Sequence, residues 1–226
     1  MEIELLDSIT KETLDKEIHR LCDLFSQGSV EEVLDQTIQL LKSFPDSPAL
    51  HIITGDAQTK LQQFDRAITS YKKAIDLKPE FVVSHFNLGV ALQDKGDLEA
   101  ALESYGKALV LNPSHLEAYF NMGGIQHEMG DLNAAIDSYK RILAIDPNYA
   151  KAYINMGNAL NNKGELEPAL NSYEQALKLD PESSKAHESI SISIKHYIMA
   201  IHNGLIENIE KIDNLIELEQ QKLRAK

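Results

Sequence analysis

The chain has no tryptophan, a single cysteine and few basic residues, and each shortage closes off a class of protein. Cys22 stands alone, so no disulfide can staple this fold, which fits a reducing compartment. Lysine and arginine number 22 against 35 aspartates and glutamates, a formal charge of −13. Nucleic-acid affinity rests on cations that neutralise phosphates, so this balance argues against DNA or RNA as a partner. Anionic headgroups would repel the chain too. No run approaches the roughly 18–20 consecutive apolar residues that span a bilayer. The opening MEIELLDSITKETLD is acidic where a secretory leader is basic and then apolar. Neither nucleic acid nor membrane is an expected partner, and the cytoplasm is the expected location. What remains is a chain of 226 residues, 43% apolar, with material for a sizeable core.

Prolines then reveal the organisation. Pro45, Pro79, Pro113, Pro147 and Pro181 are each 34 residues after the last, which marks out units 48–81, 82–115, 116–149 and 150–183. The eighth residue of every unit is glycine (Gly55, Gly89, Gly123, Gly157) and the twentieth is alanine (Ala67, Ala101, Ala135, Ala169). The twenty-fourth is tyrosine (Tyr71, Tyr105, Tyr139, Tyr173). In SHFNLGVALQDKG, residues His85, Leu88, Gly89 and Leu92 share one helical face by i, i+3, i+4, i+7 spacing. In LEAALESYGKALVLN, residues Ala101, Tyr105, Ala108 and Leu109 form a second stripe. Gly89 and Ala101 lack bulk, so the two helices can approach closely while Tyr105 fills the join. Gly96 ends the first helix, and Asp97, Asp131 and Glu165 are candidate caps for the second. Asn112-Pro113 stops the second, because a residue before proline avoids the α region. Pro168 falls in the first turn of its helix, where it is tolerated.

This pattern resembles the tetratricopeptide repeat (TPR), whose 34-residue unit is a helix-turn-helix. The resemblance implies an all-α, right-handed superhelical solenoid with C-terminal capping helices. Residues 1–47 read as a divergent first repeat, in which Gly28 and Pro45 keep register and Ser29-Val-Glu-Glu32 has the form of a capping box. Residues 184–226 read as a capping helix followed by a terminal amphipathic helix. The capping helix, within 182–202, presents Ala186, Ile190, Ile194, Tyr197 and Ile201 inward. The terminal helix, about 205–225, has near-heptad apolar spacing that suits either a lid or self-pairing into a homo-oligomer.

Asparagine recurs at the sixth position of three units: Asn87, Asn121 and Asn155. At about 100° per residue this position falls opposite the buried face, together with positions two, nine and thirteen. The stripe it defines includes Asp94, Glu117, Glu128, Lys151, Asn158 and Asn162. An asparagine offers one acceptor and paired donors, the complement of a peptide unit, so a row of them suits an extended peptide. The alternative is that they brace neighbouring repeats. The units resemble the arrays of O-linked N-acetylglucosamine transferases, and that resemblance implies an asparagine ladder that binds the backbone of protein substrates. Ile53 interrupts it in the first full unit. The carboxylate clamp of chaperone-binding relatives does not fit: the lysine it requires at position five is replaced by Ile52, Phe86, Phe120 and Ile154.

No catalytic constellation, metal motif or phosphate loop stands out, so no cofactor is expected. His51, His85 and His187 share position four with Tyr119 and Tyr153, which marks a packing slot. Cys22 between Leu21 and Leu24 reads as a packed residue. The expected function is a non-enzymatic scaffold that binds a protein or extended peptide. A second hypothesis, implied by resemblance, is the non-catalytic substrate-recognition arm of a bacterial glycosyltransferase or sulfotransferase.

Overall fold

The computed structural model describes residues 2–202. Among them every regular element is an α-helix, and the helices pair as hairpins that divide into two compact units, 1–115 and 116–226.

The first unit contains α1 (Glu2–Ser26), α2 (Val30–Ser43), α3 (Pro48–Lys60), α4 (Phe64–Leu77), α5 (Val82–Lys95) and α6 (Leu98–Leu111). The second contains α7 (Leu116–Glu128), α8 (Leu132–Ile145), α9 (Ala150–Lys163), α10 (Leu166–Leu179) and α11 (Ser184–His202). Helix α1, at 25 residues, is longer than the first helices of the full repeats, which have 13 or 14. The 205–225 helix and the inward placement of Tyr197 and Ile201 lie outside the described side chains. Ala186 and Ile190 of α11 are fully buried against α9 and α10, and Ile194 packs beside them.

The glycine–tyrosine contact joins the two helices of each hairpin. A Cβ added to Gly55 would stand 2.6 Å from Tyr71 Cε1, and one on Gly89 would stand 2.7 Å from Tyr105 Cδ1. One on Gly123 would come within 2.8 Å of Tyr139, and Gly157 meets Tyr173 in the same way. The ring lies where a side chain would otherwise be, and all four tyrosines are buried. The small residues are therefore a requirement of the interhelical distance.

The turns between first and second helices close through backbone. Gly96 has φ +90°, and its N–H and that of Asp97 reach back to the carbonyls of Gln93 and Leu92. Gly28, Gly130 and Gly164 repeat this left-handed conformation. The expected caps are mostly absent: Ser29, Asp97 and Glu165 make no side-chain capping bond, and only Asp131 accepts from the N–H of Ala134, at 3.1 Å. Ser29-Val-Glu-Glu32 is thus no capping box, because the glycine turn already directs the entering chain through main-chain bonds such as Val30 N–H to Gly28 O. Cys22 also departs from expectation, since it is exposed rather than packed. Leu21 takes the core position beside it.

Position four carries an interaction that spacing alone left as packing. His51 Nε2 meets the carbonyl of Pro45 at 2.8 Å, His85 meets Pro79 at 2.8 Å, and His187 meets Pro181 at 3.0 Å. A carbonyl only accepts, so Nε2 carries the proton in each. The histidine ties the loop after one repeat to the first helix of the next.

Candidate functional site

The tyrosine hydroxyl of each hairpin needs an acceptor, and what supplies it differs from repeat to repeat. In the first unit, Tyr71 donates to Asp56 Oδ1 at 2.7 Å, and Asp56 is the ninth residue of its own repeat. Asn87 Nδ2, from the next repeat, donates to the same oxygen at 2.7 Å. Position nine is Val90 in the following repeat, where Tyr105 reaches instead to Gln93 Oε1 at 2.8 Å. In the second unit, a side-chain hydrogen bond links Tyr139 to Asn155 of the next repeat. Tyr173 donates to Asn158 Oδ1 at 2.9 Å. Burial raises the Tyr139 and Tyr173 hydroxyls to about 12.

The residues of the expected stripe therefore fall into two groups. Asn87, Asn121, Asn155 and Asn158 are half-buried, and Asn87, Asn155 and Asn158 each engage a tyrosine or its acceptor. Asp94, Glu117, Glu128, Lys151 and Asn162 are exposed. Asn162 Nδ2 lies 2.8 Å from His127 Nε2, which ties α9 to α7. Asn87 and Asp94 belong to the first unit and the other seven to the second.

Around Asn87 the first unit opens into a cavity of about 630 Å³, within the usual range of ligand pockets. Helix α3 contributes Asp56, Thr59 and Lys60, and α5 contributes Phe86, Asn87, Val90 and Asp94. Phe25 of α1, Phe64 and Tyr71 of α4, and Gln62 in the turn complete the lining. Burial pushes the Asp56 carboxyl above the usual carboxylate range, although the bonds from Tyr71 and Asn87 act in the opposite sense. Burial, then the charge of Asp56, raises the Tyr71 hydroxyl, and Asp94 adds to the effect.

Gln62 is the strained part of this wall. Its φ of +59° is left-handed, and among the described residues it alone adopts positive φ without being glycine. The equivalent position is Gly28, Gly96, Gly130 and Gly164 in the other copies. Sequence reasoning passed over Asp56 and Gln62 because Ile53 broke the asparagine row in their repeat. The signal was present in the glutamine that interrupts a column of glycines.

Sequence models of one family, described as "TPR repeat" and "Tetratricopeptide repeat", match residues 55–96, 91–130 and 125–164, and residues 150–183. These matches run through more than half of the chain. The chain belongs to the tetratricopeptide-repeat family. Solved structures of TPR proteins share the fold. MamA aligns with a TM-score of 0.68 and 24% identity, covering 72% of this chain and 95% of MamA. PilF of Pseudomonas aeruginosa gives a TM-score of 0.70 and 18% identity, covering 94% and 97%. YrrB, described as a TPR protein with an unusual peptide-binding site, gives 0.64 and 17%, covering 81% and 92%. At these identities the likeness concerns architecture. A protein O-mannosyl-transferase of Caenorhabditis elegans is 38% identical over 71 residues, which are 31% of this TPR chain and 10% of that enzyme. This chain thus spans about a tenth of that relative's length.

TPR arrays are generally non-catalytic scaffolds. Among the described residues no group of three or more histidines, cysteines or carboxylates is placed to hold a metal ion. No described helix is long and apolar enough to cross a membrane.

Proposed function

We propose that the chain is a non-enzymatic scaffold that binds an extended peptide of a partner protein along the first-helix face of its first unit. The supporting observation is the cavity lined by α3 and α5, which combines aromatic side chains with hydrogen-bonding groups. YrrB lends support as a TPR protein with a peptide-binding site of its own. In this reading Asn87 has two roles. Its Nδ2 braces Asp56, and its Oδ1 supplies the acceptor for a peptide N–H. The asparagines of the second unit, with Lys151, Glu117 and Glu128, form the corresponding face there. Such backbone bonds are worth about 0.5–1.5 kcal/mol each, so useful affinity needs several together with an anchored side chain. The lone cysteine and the acidic surface favour a cytoplasmic site of action.

The test is an immobilised array of random-sequence nonapeptides probed with the purified chain, followed by hydrogen exchange on the complex with the best binder. The expected result is slowed exchange in α3 and α5. Binding that protects neither helix, or no binding across the array, overturns the reading.

The similarity to a protein O-mannosyl-transferase favours a second reading, a substrate-holding arm that serves a transferase. It predicts that a transferase catalytic domain co-purifies with the chain.

A further inference from the structure

The peptide-binding reading leaves open what the cavity of the first unit selects, and its chemistry is specific enough to say. Asp56 is more than an acceptor for the tyrosine. Tyr71 and Asn87 both donate to Oδ1, and no donor among the described residues meets Oδ2. Asp94 lines the same cavity and is exposed. Neither carboxylate forms an ion pair among the described residues. Lys60 stands one turn after Asp56 on α3, where a pair could form, yet it is exposed and makes none. Phe64 and Phe86, both half-buried, line the same cavity, so aromatic rings and two carboxylates share its surface.

Folding does not require this charge. Tyr173 is satisfied equally by the neutral Asn158 at the same position of another repeat. The same repeat also holds Gln62 in a left-handed conformation that costs about 1–2 kcal/mol relative to glycine. The one charged residue at position nine of the four full repeats and the one non-glycine turn thus line a single cavity, and strain retained at one place is a pointer to function.

We propose that this cavity seats one arginine or lysine side chain of the bound peptide, its cation between Asp56 and Asp94 and its stem along Phe64 and Phe86. The occupant follows from charge complementarity: the lining holds two carboxylates that make no ion pair among the described residues, against one lysine. Aromatic faces attract a cation further, and arginine, planar and weakly hydrated, is the better fit. The proposal rests on the peptide-binding reading and adds side-chain selectivity to it.

The same random nonapeptide array separates the two. The expected result is enrichment of arginine or lysine at one position of the bound peptides. In solution, replacing that arginine by citrulline in the best fluorescein-labelled peptide is expected to weaken binding roughly tenfold. Asp94→Asn is expected to remove the preference, whereas Glu128→Gln, which neutralises an exposed carboxylate of the second unit, retains it. Circular dichroism of Asp94→Asn checks that its helices are intact. Peptides that bind without a basic position overturn the proposal but leave the peptide-binding reading standing. A basic preference that survives both Asp94→Asn and Asp56→Asn reflects the overall negative charge and also overturns it. An array without binders overturns both.

Discussion

Tyr71 and Tyr173 occupy the same place in two repeats of one chain, and each hydroxyl reaches the ninth residue of its own repeat. In the first unit that residue is the carboxylate of Asp56, and in the second it is the amide of Asn158. Both rings are buried over a glycine. The hairpin therefore forms with either a carboxylate or an amide as the acceptor. A buried carboxylate costs more to desolvate than an amide does, so the charge in the first unit is an expense that the hairpin itself does not require. Because the glycine–tyrosine contact is the same in both repeats, the cavity beside Asp56 is the place to look for what the charge does.

The largest expected effect tests the shared part of the comparison. Tyr71→Ala and Tyr173→Ala each empty a buried ring site, and each is expected to lose about 3–5 kcal/mol in urea or thermal unfolding followed by circular dichroism. A much smaller loss at either site would show that the two hairpins are not built alike. Gly89→Ala is next. Its methyl group meets the Tyr105 ring, which is buried and has little room to give, and a loss of about 1–3 kcal/mol is expected.

The acceptors themselves supply the sharpest contrast, as exchange of the two residues should have opposite consequences. Asn158→Asp is expected to lower stability at pH 7 by about 1–2 kcal/mol, because it places a charge where an amide sufficed. Asp56→Asn is expected to raise it. The sign follows from the direction of the Asp56 shift: burial raises the folded-state value above the unfolded one of about 3.9. Between those two values the folded state binds more protons, so stability falls as pH rises through the window. The deficit of wild type against Asp56→Asn is then fully present above the folded value and vanishes below about pH 4. Paired thermal melts across this range would show the two curves converging on acidification. Curves that stay parallel would mean that Asp56 is not the group responsible.

The smallest expected effect concerns Gln62. Replacement by glycine, the residue of the other turns, relieves the left-handed strain and is expected to stabilise the chain by about 1 kcal/mol in the same melts. A loss of stability instead would show that the glutamine side chain repays its strain through packing.

Much of this was legible before any coordinates. The proline spacing, the Gly–Ala–Tyr set and the helical stripes led directly to hairpins of two helices, and Gly55 against Tyr71 is the contact that those small residues implied. The condition of the asparagines on the first helices was not legible. A wheel assigns a direction to Asn87 and cannot show that Asp56, 31 residues earlier, stands opposite its amide. The same holds for the cap at Ser29, which has the right residues and makes no bond, because the glycine turn had already fixed the chain's course. The His85–Pro79 link was hidden in the open, since each of the three histidines follows a proline by six residues.

The sequence by itself determined the period, the helices and the places where they touch, because these depend on side-chain volume and backbone freedom at fixed spacing. Only the tertiary structure decided which polar groups are engaged and which stay exposed. Hydrogen bonds at the repeat junctions join residues tens of positions apart, and whether a carboxylate or amide there is saturated depends on what the neighbouring helix brings within about 3 Å.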